Sequence, residues 1–364
     1  MFCAIHAFAI ATQRSPDTLD TMEHVTALRA LARSLALSLF ALHFAPMLPA
    51  AEPARPETTT QRSYRADANV MLFGITVFSR SDVGGGFARL VEASSGPRNN
   101  VRLLFVSGSR PDRAHGLNRM GYIEESVSES NARPSHAEYL GFMTASGEES
   151  FADAKKALRG PSADEVQFVA SRGRIDGGSE HHTVRRMLLP SSSRWTDAQH
   201  LLDLVEADLD RPGNDAKSAD LSRGERPGTF LYTVLGMVRS PARISDGSFL
   251  HNGKLFHLHA VKRPDEKAGA KFVENRLISS PRDAVELAGL IRNAKTGVET
   301  TFRVWFDRTS PNALPLRFEF QPKSYLRLVF EAVPAGDPAV VKSFADASLG
   351  AQPSGSSISR AAFR

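Results

Sequence analysis

Near its carboxy end the chain alternates with a period of two, a pattern that a β-sheet with one apolar face satisfies and a helix does not. Leu314, Leu316, Phe318 and Phe320 alternate with Arg317, Glu319 and Gln321, and after Pro322-Lys323-Ser324 the pattern resumes with Leu326, Leu328 and Phe330. Successive strand side chains point to opposite faces, so these two runs read as a hairpin with one continuous apolar face. The segment KLFHLHAVK from Lys254 alternates in the same way, and FRVWF from Phe302 is aromatic and β-branched. A mostly antiparallel β fold follows, because such faces have to be covered by something.

Upstream, YRADANVMLFGITVFSR from Tyr64 reads as a strand ending at the turn-forming run Ser81-Asp82-Val83-Gly84-Gly85-Gly86, with FARLVEAS from Phe87 as its return strand. VRLLFVS places Val101, Leu103 and Phe105 on one face and Arg102, Leu104 and Val106 on the other. Its second face is only partly polar, which suits a curved sheet covered on both sides. His136 to Leu158 has Tyr139, Phe142 and Met143 in one stripe and Phe151, Ala154 and Leu158 in another, the expectation being a helix broken at Gly147. VQFVASRGRID and HTVRRMLLP read as strands joined at Gly177-Gly178, and Thr196-Asp197 can cap a helix with Leu201, Leu204, Val205 and Leu209 on one face. RPGNDAKSADLSRGERPG reads as a linker or surface loop, and Thr229 to Arg239 as a short apolar helix or strand, the helix being favoured by the spacing of Phe230, Val234 and Met237. The expected class is α+β, mostly antiparallel: a strongly curved sheet or half-open barrel with a few helices packed against it. Both halves are expected to share one sheet.

Residues Met22 to Ala51 have the parts of a bacterial secretory signal: Arg29 and Arg33, an apolar stretch from Leu35 to Phe44, and small residues around Ala50. The plain alternative is a short core helix. Pro46, Pro49 and the abrupt change to AEPARPETTTQ favour the signal, and translation is expected to start at Met22. The stretch is too short for a permanent membrane span after cleavage. The expected organisation is a presequence over 1–50, a flexible linker over 51–63, a single β-rich domain over 64–333 and a disordered tail over 334–364 whose Ala, Ser, Gly and Pro carry no periodicity. The one cysteine, Cys3, lies upstream of the cleavage, so the exported chain would have neither a disulfide nor a thiolate nucleophile. With 41% hydrophobic residues and a formal charge of +5, the basic excess reads as solubility, and no nucleic-acid partner is expected. The destination is the periplasm or the medium.

The order TFLYTVLGMVRSP, DGSFLHNGKLFHLHAVK and ETTFRVWFDRTSPNALPLRFEFQPKSYLRLVFE resembles the carboxy-terminal half of a secreted bacterial family, domain of unknown function 3108. The shared elements are Tyr232 with Arg239, the Asn252-Gly253 turn, and Trp305 followed by Leu314-Pro315. The resemblance runs from Thr229 to Glu331 and thins over Tyr64 to Arg186, and the family's acidic pair before the Leu-Pro is replaced by Asp307 and RTSPNA. Such domains are similar to the half-open barrels of LolA/LolB-type lipoprotein carriers, in which a curved antiparallel sheet wraps helices around an apolar cavity. The resemblance implies a fold rather than a chemistry.

The chain has no G-x-S-x-G, H-E-x-x-H, P-loop or G-x-G-x-x-G, so hydrolase and nucleotide chemistry are disfavoured. The histidines offer the best metal candidates: His181 and His182 beside Glu180, and His257 with His259, which project to one strand face and would need a third ligand such as His251. Phe256, Leu258 and Ala260 occupy the opposite face, so the preferred reading is that His257 and His259 face solvent, and neither metal nor cofactor is expected. The loop Gly108 to Gly121 could bind an anionic headgroup or a glycan through Arg110, Arg113, His115, Asn118 and Arg119, the plainer reading being a solvated rim. Trp305, Leu316, Phe318, Phe320, Leu326, Leu328 and Phe330 are the expected cavity lining. The functional expectation is a noncatalytic exported protein binding a lipid, an acyl chain or a lipidated envelope component. The alternatives are a structural or regulatory interaction domain of the envelope and, third, an envelope hydrolase or metal enzyme.

Overall fold

In the computed structural model the first and last strands pair with one another in the middle of the sheet. The structure describes residues 55–334 except 73–74, 96–97, 115, 117, 131–132, 145–164, 177–178, 212–215, 221–226, 311–313 and 324–325. The presequence, the tail from 335, His115 and the stripe of Phe151, Ala154 and Leu158 therefore lie outside the described residues. The strands are β1 (Arg55–Leu72), β2 (Ile75–Ser95), β3 (Arg98–Ser109), β4 (Met120–Ser130), β5 (Arg133–Thr144), β6 (Glu165–Asp176), β7 (Ser179–Pro190) and β8 (Ala216–Asp220). They continue with β9 (Ile244–His251), β10 (Lys254–Pro264), β11 (Ala284–Asn293), β12 (Glu299–Asp307), β13 (Arg317–Lys323) and β14 (Leu326–Ala332). Among the described residues three helices join them: α1 (Ala198–Leu209), α2 (Phe230–Arg239) and α3 (Glu266–Glu274).

All the strands among the described residues form one antiparallel sheet of 14, in the order β8 to β1 followed by β14 back to β9. Tyr64 of β1 faces Ala332 of β14, so two meanders wind outward from this central seam and both halves share the sheet. The sheet curls into a nearly closed barrel. Its inner face carries Tyr64, Leu90, Leu103, Phe105, Phe302, Phe318 and Phe330, packed against Phe230, Val234, Leu235 and Val238 of α2. The outer face is covered twice. Over one half, α1 lies on Phe87, Val106, Tyr122, Phe142 and Phe168; over the other, α3 brings Phe272 onto Ala284, Trp305 and Leu316. The incompletely polar second face of β3 is thus explained: Leu104 and Val106 sit under α1 while Leu103 and Phe105 face α2.

Five expectations give way. Residues 55–63 are strand, not linker, because Thr58 to Ser63 pair with Glu92 to Phe87 and the backbone ladder needs no apolar face. The run Ser81 to Gly86 is no turn. It lies inside the 21-residue β2, where the register shifts between Ala66 and Ala68, Asp82 adopts φ 55°, and the Asp82 amide donates to Asp67 Oδ1 at 2.7 Å. Gly85 serves close packing, since a Cβ on it would lie 2.8 Å from the Trp195 ring; its partner across the ladder, Gly108 of β3, does the same, with a Cβ there 2.5 Å from Trp195 Cβ. The stretch from His136 is β5 rather than helix; Ala137, Tyr139, Leu140, Phe142 and Met143 are all buried, and a strand covered on both faces shows no period of two. In the helix capped at Asp197, Leu204 is exposed and Leu202 takes its place in the buried stripe with Leu201, Val205 and Leu209. The stretch read as a surface loop after α1 also contains β8, paired with β7. The strands β6, β7, β10, β12, β13 and β14 and the helix α2 are as expected.

Candidate functional site

The inner face is closed by α2, and the space left between them is the candidate site. Alternation in β1, β3 and β13 sends Tyr64, Leu103, Phe105 and Phe318 inward, while the helical spacing of Val234, Leu235 and Val238 turns one stripe of α2 toward them. Between them remains a partly open cavity of about 80 Å³ with an almost wholly apolar lining. Phe318 stacks on Phe330 at 4.5 Å between centroids and meets Tyr64 and Phe105 edge-on at 5.3 and 5.2 Å, so the wall is a rigid aromatic cluster. Leu314 and Pro315 complete the lining. Their carbonyls are tied down by Arg62, which donates at 2.8 and 3.1 Å, and by the Tyr64 hydroxyl, which donates to Pro315 at 3.0 Å.

Three carboxylates hold α2 in place. Glu125, on the inner face of β4 between Ile123 and Val127, accepts from the Leu231 and Tyr232 amides at 3.0 Å each, satisfying donors that a helix start leaves open. Burial pushes the Glu125 carboxyl up to about 7, against the pull of those amides. Glu129 accepts from the Tyr232 hydroxyl at 2.5 Å, and at the other end Arg239 makes a two-pronged pair with Glu92 at 2.6 and 2.7 Å. Tyr232 and Arg239, quoted from the sequence for their resemblance value, are therefore clamps on the helix.

Of the expected lining, Phe318 alone borders the cavity. Phe330 and Phe320 are buried, Phe330 within the same core and Phe320 opposite Phe302 and Leu328 in register. Leu328 and Leu326 are half-buried farther along β14. Trp305 and Leu316 lie on the other side of the sheet, under α3. The reason is parity: Phe302, Val304 and Phe306 share the inner face, so Trp305, one residue out of step, must face outward. There its indole donates to Asp265 at 2.9 Å, and the Arg303 and Arg317 guanidiniums lie over its ring at 4.5 and 5.0 Å from the centroid. Leu316 precedes β13, so the alternation that starts at Leu314 is broken before the strand begins. Glu125, Leu103, Phe105, Val234 and Leu235 went unnoticed as site residues, although a lone carboxylate between Ile123 and Val127 on an alternating strand signals a buried acceptor awaiting donors.

His257 and His259 are exposed, His259 pairing with Asp246 at 2.7 Å. His251 and His182 are buried elsewhere, His251 against the Tyr139 ring, and among the described residues no three His, Cys, Asp or Glu gather as a metal site. In the loop after β3, Arg110 is paired with Asp82 at 2.9 Å, Arg113 is exposed beside Asp112, and Asn118 donates to the Ser191 and Ser193 carbonyls at 3.1 and 2.7 Å. Arg119 lends its carbonyl to the Ser109 amide at 2.7 Å. This loop braces the segment before Trp195 more than it presents cations.

The molecule is thus a barrel-like antiparallel β domain with an internal helix. No protein-family model matches the chain, and no curated protein does. Among solved structures it is similar to the crystal structure of a beta-barrel-like protein of domain of unknown function DUF1849 from Brucella abortus, with 10% identity, 75% of this chain and 95% of that chain covered, and a TM-score of 0.32.

Proposed function

We propose that the chain is exported to the periplasm or beyond, loses residues 1–50, and acts as a noncatalytic envelope protein that seats an acyl chain, or another slender apolar group, between α2 and the sheet. The observation that carries this reading is the apolar cavity of about 80 Å³ bordered by Tyr64, Leu103, Phe105, Val234 and Phe318. A water needs roughly 10–15 Å³ by this measure, so the space takes a short alkyl segment as it stands and a longer one if α2 shifts. The motifs shared with domain of unknown function 3108 agree with export and with a barrel, and are held as part of the same proposal. A second reading, a structural or regulatory interaction domain, is favoured by α2 itself, which fills most of the concave face.

The test is native mass spectrometry of the protein recovered after expression with its own leader, followed by solvent extraction. A mature start near Ala51 and a co-purifying acyl species, lost in Leu103→Trp at unchanged Tm, are expected. A clean apo mass that also takes up no fatty acid in vitro would leave the interaction-domain reading.

A further inference from the structure

α2 has a second cavity beside it. Past Leu235, which borders both spaces, a partly open cavity of about 340 Å³ lies between the helix, β3, the facing ends of β4 and β5, and the edge strand β9. That is a volume of the size that small-molecule sites have, roughly 300–1,000 Å³. Its lining is mixed where that of the first is apolar. Val101, Pro134 and Leu235 give it apolar wall, while Glu129, Thr233 and Ser248 bring oxygens. Gly236 of α2 leaves it room, since a Cβ there would meet nothing within 4 Å.

Charge decides what the space can hold. Glu129 continues the inner-face series of Ile123, Glu125 and Val127 on β4, opposite Asn99 of β3 and Pro134 of β5. Its two oxygens accept from the Tyr232 hydroxyl at 2.5 Å and from Asn99 Nδ2 at 3.2 Å. Both donors are neutral, and a carboxylate has room for about four. Among the described residues no Lys, Arg or His pairs with Glu129. Arg239, the other charged residue of the lining, is taken by Glu92 through both Nη atoms. Arg98 and Arg133 sit on the next rung of the ladder, each in register with Ser130, and successive rungs alternate faces. Glu92, Glu129 and Arg239 therefore leave one negative charge at the cavity. An unneutralised carboxylate beside an aromatic ring and an aliphatic wall suits an alkylammonium. The carboxylate takes N–H groups, the Tyr232 ring attracts the cation, and Val101 and Leu235 cover the alkyl part.

We propose that this second cavity binds a small primary alkylammonium, with its ammonium group on Glu129 and its alkyl chain along Val101 and Leu235. The site is separate from the apolar cavity and stands whether or not that one holds a ligand. It is tested by titrating the protein with n-butylammonium and, in parallel, with butyrate, followed through the backbone amide NMR signals. The expected result is saturable binding of n-butylammonium, with shifts at Gly236, Gly247 and Ser248, and no saturation by butyrate. Glu129→Gln, which keeps an acceptor for the Tyr232 hydroxyl and removes the charge, should raise the Kd at least tenfold. Gly236→Leu should do the same by filling the space, at an equal or higher Tm because Leu is the better helix former. Leu103→Trp, in the apolar cavity, should leave the Kd unchanged. Lack of saturation by n-butylammonium, or a parent-like Kd in Gly236→Leu, would overturn the proposal. Saturation by butyrate at the same amides would overturn it too, because it would make Arg239 rather than Glu129 the ligand-binding charge.

Discussion

At the residue scale the most consequential side chain is Glu125, a carboxylate with no exposure to speak of that serves as the acceptor for the first turn of α2. In an unfolded chain its carboxyl releases the proton near 4.5, whereas burial raises the folded value to about 7. Between these values the folded state holds a proton that the unfolded state has lost. The contribution to stability is therefore complete below the lower value and fades as pH rises to the upper one, by on the order of 3 kcal/mol. Glu180 and Glu206 are raised as well, also by burial, so the signal has to be isolated by difference. Glu125→Gln, neutral at every pH, is expected to remove this slope: between pH 5 and pH 8 the parent should lose stability relative to the variant in denaturant titrations. Parallel profiles for the two proteins would mean that Glu125 does not titrate in this window.

At the scale of elements, α3 shows how a strand and a helix are tied through one side chain. Asp265 caps α3 by accepting from the Ala268 amide at 3.0 Å and also accepts from the Trp305 indole at 2.9 Å. Burial works to raise its carboxyl, but the Ala268 amide, the Trp305 indole and the guanidiniums of Arg303 and Arg317 outweigh it and hold it below the usual value. A lowered carboxyl stabilises above its unfolded value, and that share is lost as pH falls. Asp265→Ala should cost about 1–2 kcal/mol at neutral pH, read as a fall in the urea midpoint, with Asp265→Asn recovering part of it by restoring the cap. Legibility in the sequence follows covering. Strands with one wet face, such as β10 and β14, declare themselves by alternation, and α2 by its stripe. β5 does not, because both its faces are covered, and Tyr139, Phe142 and Met143 then imitate helical spacing. The glycine run of β2 mimics a turn because the reasons for it are tertiary: Gly84 lies against the Gly108 backbone of β3, and Gly85 against the ring of Trp195, more than a hundred residues away in the chain. The site suffered the same limit: Phe318 was recoverable from period two, whereas Glu125 and the α2 wall needed the pairing of β4 with a distant helix.

For the whole molecule the question is what closes the barrel, since its end strands β8 and β9 are not hydrogen-bonded to each other. The turn at Asn252 and Gly253, both left-handed at φ 53° and 71°, folds β9 back on β10 and lands on the inner face of β5 to β7. There the Tyr139 hydroxyl donates to Glu180 at 2.6 Å and accepts from the Asn252 amide at 2.8 Å, while the Gly253 amide donates to the other Glu180 oxygen at 2.7 Å. Leu250 packs beside them on Val127, Ala137 and Ile175. This clasp joins parts of the chain 113 residues apart and substitutes for the missing ladder between the edges. Tyr139→Phe keeps the ring over Gly173 and takes away a hydroxyl that serves one buried acceptor and one buried donor, so its cost should be about 1–3 kcal/mol. The loss should be local as well as global. Hydrogen exchange is expected to quicken at Asn252, Gly253 and the facing part of β7, with β1 to β3 at the central seam unchanged relative to global unfolding. Faster exchange throughout the sheet, or none at the turn, would show that apolar contact through Leu250 closes the barrel and that the buried hydroxyl is incidental to it.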